Sequence, residues 1–265
     1  MSEIITFGSS TVDIFLKPEK DCFERGDKVQ AGDWAMHSGG GGTNAACTFA
    51  LQGFKTAYYG KVGDDYFGGV VLDDLKRSGV CLKLVKKDSS RPTALSVVLS
   101  QGAGDRVILA ARGACHFFGQ EDIRWSNVKN TSWFYIAPLY DKSSDLAGTL
   151  VKFAREHKIK VAFNPSGSYI RENPEELKHI SADVDVLLLN LGEAALLAGL
   201  PQDDARPLAE KIKSWGAGIV VITMGEKGAV VLDGSGYYQA GIFPVEVRER
   251  TGAGDAFGSG FIAGL

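Results

Sequence analysis

Cysteine is scarce in this sequence and shows no pairing pattern. Cys22, Cys47, Cys81 and Cys115 are scattered, with no Cys-x-x-Cys. That excludes a zinc ribbon or a dithiol redox motif and favours free thiols in a reducing cytoplasm. The four histidines, His37, His116, His157 and His179, share no metal-ligand spacing. Proline is only 8 of 265 residues, so the chain is neither collagen-like nor Pro-rich. No apolar run approaches the ~18 residues that a bilayer span needs. The start, Met-Ser-Glu-Ile-Ile, lacks the basic region of a signal peptide. A net charge of −3 gives no basic footprint for nucleic acid.

Hydrophobic residues make up 45% of the chain and charged residues 23%. That content excludes disorder and suffices for a large buried core. Single α/β domains routinely reach roughly 250 residues, so one domain over 1–265 is expected. Glycine, at 33 of 265, is well above the typical ~7% and needs a local explanation.

Strand-like runs occur at 3–8, 56–61, 133–137, 160–164, 185–190, 219–223 and 228–232. Helical spacing predicts helices over 43–53, 64–78, 144–157, 174–180, 192–199 and 205–216. Such alternation predicts a mostly parallel sheet with helices on both faces. The alternation is interrupted by a hairpin signal, two β-rich runs flanking Gln101-Gly-Ala-Gly-Asp105. With the segment near 14–37, residues 91–112 are expected to form a small separate β-sheet.

Two glycine clusters stand out. The first, Ser38-Gly39-Gly40-Gly41-Gly42-Thr43-Asn44, directly precedes a helix. It reads either as a flexible loop or as a backbone shaped for close approach to a ligand. The second is Thr251-Gly252-Ala253-Gly254-Asp255-Ala256-Phe257, with helical spacing over 255–264. The N–H groups of Gly252, Ala253 and Gly254 would face outward at a helix N-terminus, where the dipole favours negative charge. Asp255 reads either as a first-turn helix charge or as a general base beside an anion site. The cluster is neither a Walker A sequence nor a dinucleotide fingerprint after the first strand.

These two clusters, with Gly8 to Asp13, Pro92-Thr93-Ala94, Gly104-Asp105-Arg106-Val107, Asn190-Leu-Gly-Glu193 and Thr223-Met-Gly225-Glu-Lys-Gly228, resemble the ribokinase-type (PfkB) carbohydrate kinase family along the whole chain. The resemblance implies a three-layer α/β/α sandwich with a small β-sheet lid. It implies transfer of the γ-phosphoryl group of ATP, with Mg²⁺, to a hydroxymethyl oxygen of a sugar or nucleoside. Asp255 would then be the base, and Gly252, Ala253 and Gly254 the anion hole. Asp13, Gly40, Gly41 and Asn44 would hold substrate hydroxyls, with Arg106 reaching in from the lid or facing solvent. Thr223, Gly225, Gly228 and Thr251 would line the nucleotide. Asn190 and Glu193 would organise Mg²⁺ through water, or simply cap a strand and a helix. Asn164 would approach the phosphates or make a turn. A homodimer through the lid is also implied.

The sequence departs from the family in two places. Glu249-Arg250 precede Thr251 where the family often has Asp-Thr, which puts activation by K⁺ in doubt and raises a role for Arg250 near the phosphates. Gly41 and Gly42 stand where ribokinases tend to carry a lysine, so strict ribose specificity is not supported. Family members usually continue past the base-bearing helix, so either further chain covering the adenine is expected beyond Leu265 or the nucleotide site is unusually open. The expected function is a sugar kinase. Its alternatives are a nucleoside kinase, with Trp34, Phe117 or Tyr140 stacking on a base, and a catalytically silent sugar-binding relative.

Overall fold

The structure, a computed structural model, describes residues 2–20, 26–101, 105–245 and 251–265; the side chains of residues 100, 101, 105 and 106 also lie outside the described set. The strands are β1 (Ile4–Phe7), β2 (Thr11–Pro18), β3 (Ala31–Gly39), β4 (Thr56–Tyr59), β5 (Lys61–Gly63), β6 (Lys86–Asp88), β7 (Ala94–Gln101), β8 (Asp105–Ala111), β9 (Trp133–Ile136), β10 (Lys160–Phe163), β11 (Val186–Asn190), β12 (Ile219–Thr223), β13 (Ala229–Leu232) and β14 (Tyr237–Ala240). The α-helices are α1 (Gly41–Leu51), α2 (Tyr66–Arg77), α3 (Leu146–Glu156), α4 (Gly167–Glu172), α5 (Pro174–Ile180), α6 (Leu191–Ala198), α7 (Ala205–Lys213) and α8 (Ala253–Ala263).

Eight strands form the main sheet in the order β14-β13-β12-β11-β10-β9-β1-β4. Strands β4 to β12 in that order are parallel, and β13 and β14 run antiparallel at one edge. Side chains alternate between the two faces of each strand, as β geometry requires. Ile5, Phe134, Ile136, Val161, Phe163, Leu187, Leu189, Val220 and Ile222 point to the side covered by α3 to α7. Ile4, Tyr135, Ala162, Val186, Leu188 and Val221 point to the other, where Ala45 and Phe49 of α1 and Ile262 of α8 cover them. The result is the three-layer sandwich expected from the alternation. Burying both faces explains why these strands read as unbroken apolar runs.

A second sheet of four strands, in the order β3-β2-β7-β8, stands apart from the main one. Its strands arise from the two segments that interrupt the β–α alternation. β7 and β8 form the expected hairpin, pairing Leu95 with Ala111 through Gln101 with Asp105.

Helix boundaries differ from the sequence reading in instructive ways. α1 begins at Gly41, so half of the glycine tetrad is the first helical turn rather than a loop. α2 begins at Tyr66 because the carboxylate of Asp65 accepts from Gly68 N and caps it. α8 begins at Ala253, with Gly252 as its left-handed N-cap. Helix α4 and strands β6 and β14 were not foreseen.

Candidate active site

The parallel strands end on one edge of the main sheet, and several candidate segments leave from there. Gly8 and Ser9 follow β1, Ala137 to Tyr140 follow β9, Asn164 follows β10, Asn190 ends β11 and Thr223 ends β12. Open α/β sheets bind ligands at this edge.

The glycine run is a packed joint, not a flexible loop. Gly40 has φ of 100°, and a Cβ there would lie 2.5 Å from the carbonyl oxygen of Ser9. The N–H of Gly41 donates to Ser9 Oγ at 3.1 Å, and the N–H of Gly42 donates to Ser9 O at 3.1 Å. Thr43 Oγ1 donates back to Gly39 O at 2.6 Å. The start of α1 is thus bolted to the end of β1. At Gly39 a Cβ would fall 2.0 Å from Asp13 Oδ2, so the bare backbone there makes room for that carboxylate.

Asp13 lies mid-strand in β2, paired with His37 of β3 and Ser96 of β7. Thr11 Oγ1 donates to its Oδ1 at 3.2 Å. Burial pushes its carboxyl above the ordinary range, while the hydroxyls of Ser96 and Thr11 and the charge of His37 pull the other way.

Asp255 sits in the first turn of α8. Asn44 Nδ2, from the first turn of α1, donates to its Oδ2 at 2.8 Å. Its Oδ1 lies over Gly41. Burial raises the Asp255 carboxyl, and the Asn44 hydrogen bond partly offsets that. The first helical N–H groups of α8, from Ala253 onward, have no intrahelical acceptor and face outward. Asp255, Asn44, Asp13, Gly40, Gly41, Thr251 and Gly252 together line a cavity of about 590 Å³ between the main sheet edge and the small sheet.

A second, smaller cleft of about 110 Å³ lies on the other side of the α8 N-terminus. Asn164, Asn190, Glu193, Thr223, Gly254 and Gly258 line it. Asn190 and Glu193 form a reciprocal capping box for α6: Glu193 N donates to Asn190 Oδ1 at 2.8 Å, and Asn190 N donates to Glu193 Oε2 at 2.9 Å. Burial raises the Glu193 carboxyl against these hydrogen bonds. The cap engages one carboxylate oxygen of Glu193, Oε2, and the carboxamide oxygen of Asn190. Among the described residues no cluster of three or more His, Cys, Asp or Glu could cage a metal. The cleft's oxygen-donor side chains, Asn164, Asn190, Glu193 and Thr223, fit Mg²⁺ held through water and phosphate, the usual style of that ion.

Gly225 and Gly228 both have positive φ and form the β12–β13 turn, where Met224 N donates to Gly228 O at 2.8 Å. They lie outside both lining sets. The side chain of Arg106, the pair Glu249-Arg250 and Gly104 lie outside the described residues. Of the aromatic candidates, Tyr140 reaches the larger cavity, while Trp34 lines the neighbouring groove along β2 and β3. Phe117 reaches neither, and the guanidinium of Arg91 lies 4.2 Å over its ring. The sequence reading missed Arg112, His116, Asp141, Ser168 and Glu172, which complete the cavity wall. No local motif marks them; only the fold brings them there. Cys47, Cys81 and Cys115 are free thiols, Cys115 Sγ lying 3.4 Å from His116 Nδ1, and no described helix is long and apolar enough to cross a membrane.

Comparison with known proteins places the fold and the family. The family model for pfkB family carbohydrate kinases matches residues 1–265. A deoxyribokinase of Salmonella typhimurium is 26% identical over 258 residues, covering 96% of this chain and 83% of its own. An ATP-dependent ribose-1-phosphate kinase of Halopiger xanaduensis is 29% identical over 231 residues, covering 86% and 74%. The structure of Arabidopsis thaliana ribokinase complexed with ribose and ATP superposes with a TM-score of 0.84 at 23% identity, covering 99% of this chain and 85% of that one. The chain belongs to the PfkB family of carbohydrate kinases.

Proposed function

We propose that this protein transfers the γ-phosphoryl group of ATP to a hydroxymethyl oxygen of a small sugar. The observation that carries the proposal is the Asn44–Asp255 pair at the outward-facing N-terminus of α8, opening into a cavity whose opposite wall holds Asp13. In this reading Asp13 and Asn44 orient acceptor hydroxyls, since a carboxylate accepts and a carboxamide does both. Asp255 takes the proton of the attacking hydroxyl as its oxygen bonds to the γ-phosphorus. The bond from that phosphorus to the β,γ-bridging oxygen breaks, giving a sugar phosphate, ADP and a proton. The N–H groups of Gly252, Ala253 and Gly254 meet the charge on the transferring group.

Thr223, Gly225 and Gly228 are assigned to the nucleotide side of the same helix terminus, whereas Thr251, expected with them, lines the larger cavity and is read with the acceptor. Asn190 and Glu193, with Asn164, would hold the hydration shell of Mg²⁺, which supplies charge neutralisation to the phosphates when bound. The small sheet is assigned as a lid that excludes water from the acceptor. Its strand β8 turns Val107 and Leu109, both exposed, away from the cavity, and a homodimer would use that surface.

A nucleoside acceptor is a second reading, favoured by one observation. Beyond Asp13 the small sheet turns Val98 and Ile108 into the cavity and Phe15 into the neighbouring groove, an apolar stretch. A base would find a surface there, with Tyr140 at the rim.

ADP release with Mg²⁺ and ATP, with and without K⁺, measured across pentoses, hexoses, keto-deoxy sugar acids and nucleosides, tests the proposal. Acceptor-dependent ADP formation with a sugar supports it. Formation only with nucleosides selects the second reading. No acceptor-dependent ADP formation contradicts both.

A further inference from the structure

Charge is unevenly distributed around the acceptor cavity. Asp13, Asp141, Glu172 and Asp255 all line it. Among the described residues Arg112 is the single Arg or Lys on that wall, and Asp141 Oδ1 already meets its Nη2 at 2.9 Å. His116 lines the wall as well but adds little positive charge. The backbone N–H of Gly113 donates to its Nδ1 at 3.2 Å, an acceptor role that only the neutral imidazole fills. Burial also lowers its pKa, against the opposing pull of Asp141.

The Arg112–Asp141 contact joins two separate elements. Arg112 follows β8 directly and so stands at the root of the small sheet. Asp141 opens the 3-10 turn after β9, at the edge of the main sheet. Asp141 has φ of 53°, one of two non-glycine residues with positive φ among those described. Left-handed backbone is sparsely populated by non-glycine residues and clusters at ligand sites. Here the left-handed turn belongs to the residue that meets the guanidinium of Arg112.

We propose that Asp141, by neutralising Arg112, makes the cavity select an uncharged acceptor and reject one carrying a phosphate or carboxylate away from the reacting hydroxyl. A cleft lined by one sign of charge focuses its field, and like charges set against each other cost several kcal/mol. The proposal rests on reading this cavity as the acceptor site. It makes Asp141 a specificity-determining residue, with no part in the proton transfer.

Matched pairs test it: D-ribose against ribose 1-phosphate, and D-fructose against fructose 6-phosphate, titrated calorimetrically into the full chain. The wild type is expected to bind the uncharged member of a pair at least ~10-fold more tightly, with the ratio shrinking as salt is raised. Asp141→Asn should narrow the ratio several-fold, chiefly by tightening the phosphorylated member. Asparagine tolerates the left-handed backbone, so this variant keeps the fold. Adding Arg112→Ala to Asp141→Asn restores the net charge of the wall and should restore the wild-type ratio. Wild-type protein that bound neither uncharged sugar more tightly than its phosphorylated partner would overturn the proposal, as would a ratio unchanged in Asp141→Asn. Turnover with MgATP is read separately. An uncharged sugar that binds but yields no ADP would contradict the kinase reading and leave the charge selection standing.

Discussion

Asn44 Nδ2 donates to Asp255 Oδ2 at 2.8 Å across 211 positions of sequence. The contact ties the first turn of α1 to the first turn of α8. Each helix start is set by its own glycine cluster, so the two clusters have one purpose: they bring a carboxamide and a carboxylate together at the mouth of the cavity.

The Asn44 hydrogen bond stabilises the ionised form of Asp255 and so lowers a pKa that burial has raised. Removing the donor in Asn44→Ala should raise that pKa further. The acid limb of the kcat/KM profile should then move to higher pH. Steady-state rates between about pH 5 and 9 check this. A limb that stays in place, or moves down, would show that Asn44 does not tune Asp255.

Gly39 and Gly40 should respond differently to alanine. In Gly39→Ala the new methyl meets the movable carboxylate of Asp13, 2.0 Å away. The fold should survive while Asp13 is displaced, raising the acceptor KM about 10-fold or more with the ATP KM little changed. In Gly40→Ala the methyl meets the fixed Ser9 backbone at 2.5 Å, on a residue with φ of 100°. That variant should lose more than about 1 kcal/mol of stability in denaturant unfolding. Equal stability loss in both would contradict the distinction.

Tyr135 places a fully buried hydroxyl against Gly258 of α8, and that oxygen has no hydrogen-bond partner among the described residues. An unsatisfied buried hydroxyl costs about 1–3 kcal/mol. Tyr135→Phe should therefore hold or raise the melting temperature. A marked fall would mean that an ordered water satisfies the hydroxyl in solution.

Much of this was legible in the sequence because it depends on local signals. The apolar runs of β1 and β9 to β12 announce strands buried on both faces. Asp255 and Asn44 announce themselves through the glycine clusters that position them. The tetrad's own conformation was not legible. Gly41 and Gly42 are helical because Ser9, more than thirty residues earlier, captures their N–H groups. α4 escaped because Ser166 caps a helix of only 6 residues, too short for a periodic pattern, behind a Pro-Ser-Gly that also reads as a turn. β14 is a largely exposed edge strand with no clear alternation. Arg112 and Asp141 carry no motif at all. They meet only because β8 and β9 end beside the same cavity, which is why acceptor selection is the least legible part of the site.

In the proposed reaction Asp255 is the base. Its raised pKa means that the folded state disfavours its charge, so folding loses stability as pH rises from the ordinary carboxylate range through the folded value. Asp255→Asn removes that penalty and leaves Asn44 an oxygen to donate to. The most direct measurement is single-turnover phosphoryl transfer by Asp255→Asn, with acceptor affinity and melting temperature taken on the same protein. If Asp255 is the base, the variant should lose about 10²–10⁴-fold in rate, keep acceptor affinity within a few-fold of wild type and show an unchanged or higher melting temperature. Near-normal transfer by a folded Asp255→Asn protein would contradict that role.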